Sequence, residues 1–173
     1  MRTKLPLKGI SKHKLIYAIL LIFISFNAYS TNLISKGSTW KYNDSGSNLG
    51  TSWRGTGYND SGWSSGDGDL GFSNGNNTTI NNHGGITYYF RKTINVTNPS
   101  QFADYTFELM RDDGAIIYVN GTEVWRDNMP SGTVSYNTTA SSTVSGSDET
   151  TYFTTITNAP FVNGTNVIAV EIH

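Results

Sequence analysis

The stretch RDDGAIIYVNGTEVWRDNMP, residues 111–130, decides how this chain is read. Within it, Asn120 and Gly121 sit between two runs of β-formers. A two-residue type I′ turn needs positive φ at both central positions, and Asn-Gly meets that need best. A hairpin is therefore predicted, with strands over 115–119 and 122–125. The run AIIYV (115–119) is continuously apolar, the form of a strand buried on both faces. Ahead of it, RDDG ends one strand and begins the next. Asp side chains bond nearby backbone N–H groups, and Gly114 supplies a permissive backbone. Asp112 and Asp113 are adjacent, so in extended chain they point to opposite faces. A catalytic carboxylate pair must instead converge on one substrate. The doublet is read as turn chemistry, with calcium ligation through carboxylate oxygens as the alternative.

Outward from this hairpin, strand signals recur and helix signals do not. ITYYFRKTINV (86–96) alternates, with Ile86, Tyr88, Phe90, Ile94 and Val96 on one face and Thr87, Tyr89, Arg91, Thr93 and Asn95 on the other. YTFELM (105–110) sets Tyr105, Phe107 and Leu109 on one side. NVIAVEI (166–172) sets Ile168, Val170 and Ile172 together. Shorter candidates are STWKY (38–42), TEVW (122–125), TVSY (133–136) and YFTTI (152–156). Residues 58–77 carry glycines and polar residues and read as a long ordered loop; residues 137–150 read as a second polar connection. One helical turn is expected over 98–105, with Ser100 able to cap it. Many short strands separated by turns predict an all-β fold, an antiparallel β-sandwich.

The first thirty residues stand apart. Arg2, Lys4, Lys8, Lys12 and Lys14 precede a twelve-residue apolar run, and Ala28 and Ser30 follow at signal-peptidase spacing. Residues 1–30 are predicted to be a cleaved signal peptide, because a membrane span needs about twenty apolar residues. The exported chain, secreted or at the cell surface, would then comprise a short linker over 31–38 and one domain over 39–173. Removing the leader takes five of the twelve basic residues and leaves seven against thirteen acidic ones, a net charge of −6. That balance argues against a nucleic-acid partner, which selects a basic face. The chain has no cysteine, so no disulfide holds it. The chain stops at His173 directly on a strand, without a polar tail, and a continuing protein with an attached downstream domain is expected.

Several segments occur in one order: GYNDSGW (57–63), LGF (70–72), TYYFRKTINV (87–96), the opening stretch, and GTNVIAVEIH (164–173). That series resembles the galactose-binding-like jelly-roll module of exported bacterial multidomain proteins. It is similar to the sugar-binding domain of the β-galactosidase and β-glucuronidase family, and to modules joined to metallophosphoesterases and other secreted hydrolases. The resemblance covers about residues 39–173. It implies a five-plus-three or similar antiparallel jelly roll with an accessory role. Catalytic residues of the parent enzymes lie in other domains, so none is carried over.

No histidine has a second at metal spacing, and no nucleophile motif occurs. His83 in NNHGG reads as a solvated loop histidine. Asp67 and Asp69 in GDGDLGFSNGN alternate like oxygen ligands, with Asn74 and Asn76 nearby, but no further carboxylate closes the loop; Asp-Gly turns are the favoured reading and calcium the alternative. A structural calcium is thus the one cofactor considered. Sugar binding needs aromatic faces beside hydrogen-bonding groups. The candidates are Trp53, Tyr58, Tyr89, Trp125 and Arg126, with Arg54 close in sequence. For Trp53 a core role is the favoured reading, with sugar stacking as the alternative. Tyr89 falls on the polar face of its strand and is expected to be exposed. The function expected is a non-catalytic accessory module that binds a glycan or spaces an attached hydrolase. The alternatives are the N-terminal part of a secreted phosphoesterase or glycosidase, and a surface adhesion module.

Overall fold

The computed structural model describes residues 31–72 and 75–173. The predicted leader and Asn74 lie outside the described residues. One compact unit runs over Asn32–His173. Its strands are β1 (Thr39–Asn43), β2 (Ser64–Asp67), β3 (Leu70–Gly71), β4 (Thr78–Thr79) and β5 (Tyr88–Val96). There follow β6 (Tyr105–Met110), β7 (Ala115–Val119), β8 (Thr122–Asp127), β9 (Tyr152–Thr157) and β10 (Gly164–Ile172). The helices described are all short 3-10 turns. None of the described helices is long and apolar enough to cross a membrane.

The fold is an antiparallel β-sandwich. A six-stranded sheet runs β2-β1-β5-β10-β7-β8, and β6 pairs with β9 to form the second layer. Among the described strand pairs only the short β3–β4 pair is parallel. The implied five-plus-three or similar division takes the form of six strands against two, with β3–β4 a separate short pair.

The alternation of each central strand builds two cores, one on each face of the large sheet. Val96, Ile117, Val119, Ile168 and Val170 face the small sheet, where Tyr105, Phe107 and Leu109 of β6 close over them. Ile116, Tyr118, Ala169 and Tyr89 project the other way and meet Trp53 and Met129. That second face has no sheet over it. Two irregular segments cover it, one bringing Leu49, Trp53, Tyr58 and Trp63, the other Met129, Val134, Tyr136 and Ala140. Strands buried on both faces read as continuous apolar runs, which is why AIIYV lacks alternation.

The hairpin forms as read. Asn120 and Gly121 hold φ values of 52° and 89°, and Val119 faces Thr122. A register shift at Ile117/Tyr118 interrupts the β7–β8 ladder. Asp112 and Asp113 do form the β6–β7 turn, but the anchoring is long-range. Asp113 Oδ1 accepts the N–H of Val144 at 2.6 Å, and the Asp113 carbonyl accepts from Arg111 Nη1 at 2.6 Å. Gly114 is needed for room rather than for left-handed backbone. A Cβ there would lie 2.9 Å from both the Asn128 carbonyl oxygen and Ala140.

Three local expectations change. TVSY is not a strand: Val134 and Tyr136 pack into the second core, and the Tyr136 carbonyl accepts from the Thr87 hydroxyl at 2.5 Å. The 58–77 loop contains β2 and β3, and β4 follows directly at Thr78–Thr79; pairing with β1 overrides the weak strand propensity of SSGD in β2. The turn near residue 100 is a 3-10 helix over Pro99–Gln101. It begins after left-handed Asn98 and has no side-chain cap, so Ser100 lies inside it. The linker stretch also packs, with Leu33 and Ile34 against the first core.

Candidate binding site

The second face of the large sheet carries polar groups among its apolar ones. Tyr89 and Arg91 come from β5, Tyr118 from β7 and Glu171 from β10. Pairing places Glu171 between Tyr89 and Ile116. Strand alternation puts Glu171 opposite Ile168, Val170 and Ile172, so it enters the covered face. Its side chain is only 4 % exposed. A buried carboxylate needs partners, and the fold supplies them. Tyr118 donates its hydroxyl to Glu171 Oε1 at 2.6 Å, and Arg54 Nη2 reaches the same oxygen at 3.0 Å and Oε2 at 3.4 Å.

Arg54 closes the Ser52–Arg54 3-10 turn. Its guanidinium lies 4.2 Å from the centroid of the Tyr118 ring, so the arginine is braced by a ring as well as by a carboxylate. The His173 ring lies on the other side of Glu171, Nε2 to Oε2 at 3.7 Å. Its Nδ1 is 2.7 Å from the Thr138 carbonyl, which only accepts, so Nδ1 carries the hydrogen. Burial alone would push the Glu171 carboxyl up. The nearby His173 ring, the Tyr118 hydroxyl and the Arg54 guanidinium outweigh it and hold Glu171 below the usual carboxylate value. Tyr118 is driven far upward by burial and by its bond to that carboxylate, so it stays a neutral donor.

A depressed carboxyl stabilises the fold above its unfolded value and loses that contribution as pH falls through the folded one. Glu171→Gln should therefore destabilise the chain most at neutral pH. The gap in melting temperature from the parent should narrow on acidification below about 4.3, the ordinary Glu value. A gap that stays constant from pH 7 to pH 3 would contradict this account.

Above Glu171 lies a cavity of about 210 Å³, lined by Asn48, Gly50, Thr51, Arg54, Tyr89, Val134, Ser135, Tyr136 and Glu171. That is smaller than the roughly 300–1,000 Å³ of a drug-sized site. Its walls come from the two covering segments and its floor from β5 and β10.

Of the five aromatic and arginine candidates, Tyr89 alone lines this cavity. It is 2 % exposed, not exposed as its strand face suggested, because the segment carrying Trp53 lies over it. Trp53 is fully buried, 4.8 Å from the Tyr89 ring, and is core. Tyr58 packs edge-on against Trp63. Trp125 packs with the first core, on the opposite face. Arg126 is spent on the Glu123 carboxylate at 2.6 Å and on the Pro130 and Gly132 carbonyls. The five do not form one site. Sequence reading passed over Glu171, Tyr118, Tyr136 and His173. The signal that finds the first is a lone carboxylate inside an apolar strand run.

The acidic candidates are also dispersed. Asp67 accepts from the Thr39 hydroxyl at 2.5 Å, Asp69 accepts from Asn76 Nδ2 at 2.7 Å, and Asp113 holds Val144. Asp112 is exposed, its carboxyl raised by partial burial and by Asp113. Among the described residues no three His, Cys, Asp or Glu side chains come together as a metal site would require. His83 is not a free loop histidine. It stacks on Tyr88 at 4.2 Å and accepts from Gly85 N at 2.8 Å.

No family model matches the chain, and no curated protein matches it. Similar solved structures include a β-glucuronidase from Bacteroides uniformis, 15 % identical over 80 % of this chain and 14 % of that one, with a TM-score of 0.49. A β-glucuronidase from an uncultured Clostridium is 13 % identical over 79 % of this chain and 21 % of that one, TM-score 0.48. A glycosyl hydrolase family 2 member from Bacteroides cellulosilyticus is 17 % identical over 80 % and 17 %, TM-score 0.45. The chain thus spans about a fifth or less of the length of each.

Proposed function

We propose that the chain is an exported, non-catalytic accessory module whose covered sheet face holds one small polyhydroxylated ligand, a single sugar ring, on behalf of an attached hydrolase domain. The observation that carries this reading is the make-up of the cavity: an aromatic hydroxyl, aliphatic hydroxyls, an amide and an arginine–glutamate pair around about 210 Å³. Hydroxyl-rich ligands need converging donors and acceptors of that kind. The wall's acid content supports binding over catalysis. Glycoside hydrolysis uses two carboxyl groups about 5–9.5 Å apart. Glu171 is the sole carboxylate among the described residues lining the cavity, and its oxygens are already engaged. A held-down, ion-paired carboxylate is also a poor proton donor at neutral pH.

The test is a glycan array on the purified chain, with and without calcium, followed by calorimetry on any glycan retained. Retention of a glycan, lost in Ser135→Trp, is the expected result. Ser135 is exposed at the cavity wall, so a bulky ring there fills the opening without disturbing the core. No retained glycan in either condition would favour a purely structural or adhesive module.

A further inference from the structure

The tetrapeptide VNGT occurs twice, at 119–122 and at 162–165, and the fold treats the two copies differently. In the first, Asn120 and Gly121 make the β7–β8 turn, at φ values of 52° and 89°. The Asn120 side chain is half-buried and held at three points. Its Oδ1 accepts from Val167 N at 2.9 Å, and its Nδ2 donates to the Pro160 carbonyl at 3.0 Å and to Asn166 Oδ1 at 2.8 Å. Its backbone N–H also donates to the Val167 carbonyl at 2.9 Å. In the second copy Asn163 is exposed, and Gly164 opens β10 at φ 99°. Asn163 Oδ1 accepts from Asn98 N at 3.0 Å, and Nδ2 has no partner among the described residues.

We propose that Asn163 is a site of spontaneous deamidation and isoaspartate formation in the folded chain, and that hydrogen bonding protects the identical step at Asn120. Glycine has no Cβ, so its backbone nitrogen can close on the preceding side chain. Gly164 N loses its proton to hydroxide and attacks Asn163 Cγ. The Cγ–Nδ2 bond breaks, and the nitrogen takes a proton from water and leaves as ammonia. The five-membered imide then takes up one water and opens at either carbonyl. The product is aspartate, or isoaspartate with the main chain running through Cγ. Asn98 N meets Oδ1, where negative charge gathers during the attack. Val167 N does the same at Asn120, so the two sites differ in the leaving nitrogen and in freedom to rotate. Closing the imide at Asn120 breaks both Nδ2 bonds, and each lost bond adds to the barrier. Isoaspartate at 163 lengthens the main chain just before β10, the strand between β5 and β7.

The experiment is incubation of the purified chain at mildly alkaline pH, natively and in guanidinium chloride, with peptide mapping by mass spectrometry. Retention time separates the two acid products. In the native chain Asn163 should convert at least about tenfold faster than Asn120, the effect of one to three net hydrogen bonds on a barrier. In denaturant the two should convert at closely similar rates, because the four residues are the same. Asn163→Gln should remove the native product. A third Asn-Gly step, at Asn74, lies outside the described residues, and its peptide is read separately. Native conversion of Asn120 as fast as Asn163 overturns the protection. A native Asn163 that stays intact while both convert in denaturant overturns its assignment as the reactive site. A tenfold difference that persists in denaturant overturns the role of the fold.

Discussion

Trp53→Ala should cost the chain about 3–5 kcal/mol, the range for emptying a core tryptophan. The residue is fully buried and sits between the Tyr89 ring at 4.8 Å and the Tyr118 ring at 6.0 Å. Its indole N–H donates to the Gly50 carbonyl at 3.1 Å, which fixes the segment bearing the cavity-lining Gly50, Thr51 and Arg54. Two losses therefore occur together: a cavity opens under the cover, and the cover loses its anchor. For a unit of this size the melting temperature should fall by roughly 10–20 °C. Thermal melting by circular dichroism reads this directly. A drop of only one or two degrees would mean the second core is not packed as described.

Arg91→Met should be of similar size for a different reason. Arg91 is 2 % exposed on the same face. Its Nε donates to Asp60 Oδ2 at 2.8 Å, and its Nη1 donates to the Trp53 carbonyl and, at 3.2 Å, to the Gly55 carbonyl. One guanidinium thus ties the sheet to three points of the covering segment. Methionine keeps much of the bulk and none of the donors. Breaking such a pair leaves a partly buried carboxylate with weaker compensation, and the cost is about 3–5 kcal/mol. Lys41 stays 3.5 Å from Asp60 and softens the loss. Arg91→Lys should not restore stability, because a point charge cannot serve a carboxylate and two carbonyls in one plane. Asp60→Asn added to Arg91→Met should recover part of it, by removing the charge left behind. Chemical denaturation of the four chains checks the set. A loss under about 1 kcal/mol for Arg91→Met would show the tie to be of the weak surface kind. Trp53 and Arg91 touch through a hydrogen bond, so their effects should not add.

Both residues show how the reading from sequence divided. The core reading of Trp53 is the favoured one from sequence, and the structure shows which segment and which sheet face it packs between. Arg91 and Tyr89 fell on a strand face labelled polar, and the label was correct as far as the residue types go. What covers that face is two stretches of irregular chain without hydrophobic period, so no pattern announced that they would lie there. The same cover carries Arg54 to Glu171 across 117 positions of sequence.

The amino-acid order alone determined the strand faces of β5, β6 and β10, the hairpin at Asn120-Gly121 and the all-β class, because two-residue alternation and positive-φ turns are properties of neighbouring residues. Tertiary structure decided which strand faces are shut from water, that Glu171 is paired rather than solvated, and that the cavity lies beneath residues 48–54 and 134–136. Those outcomes depend on long-range burial and charge pairing, whose free energy arises only when distant segments meet.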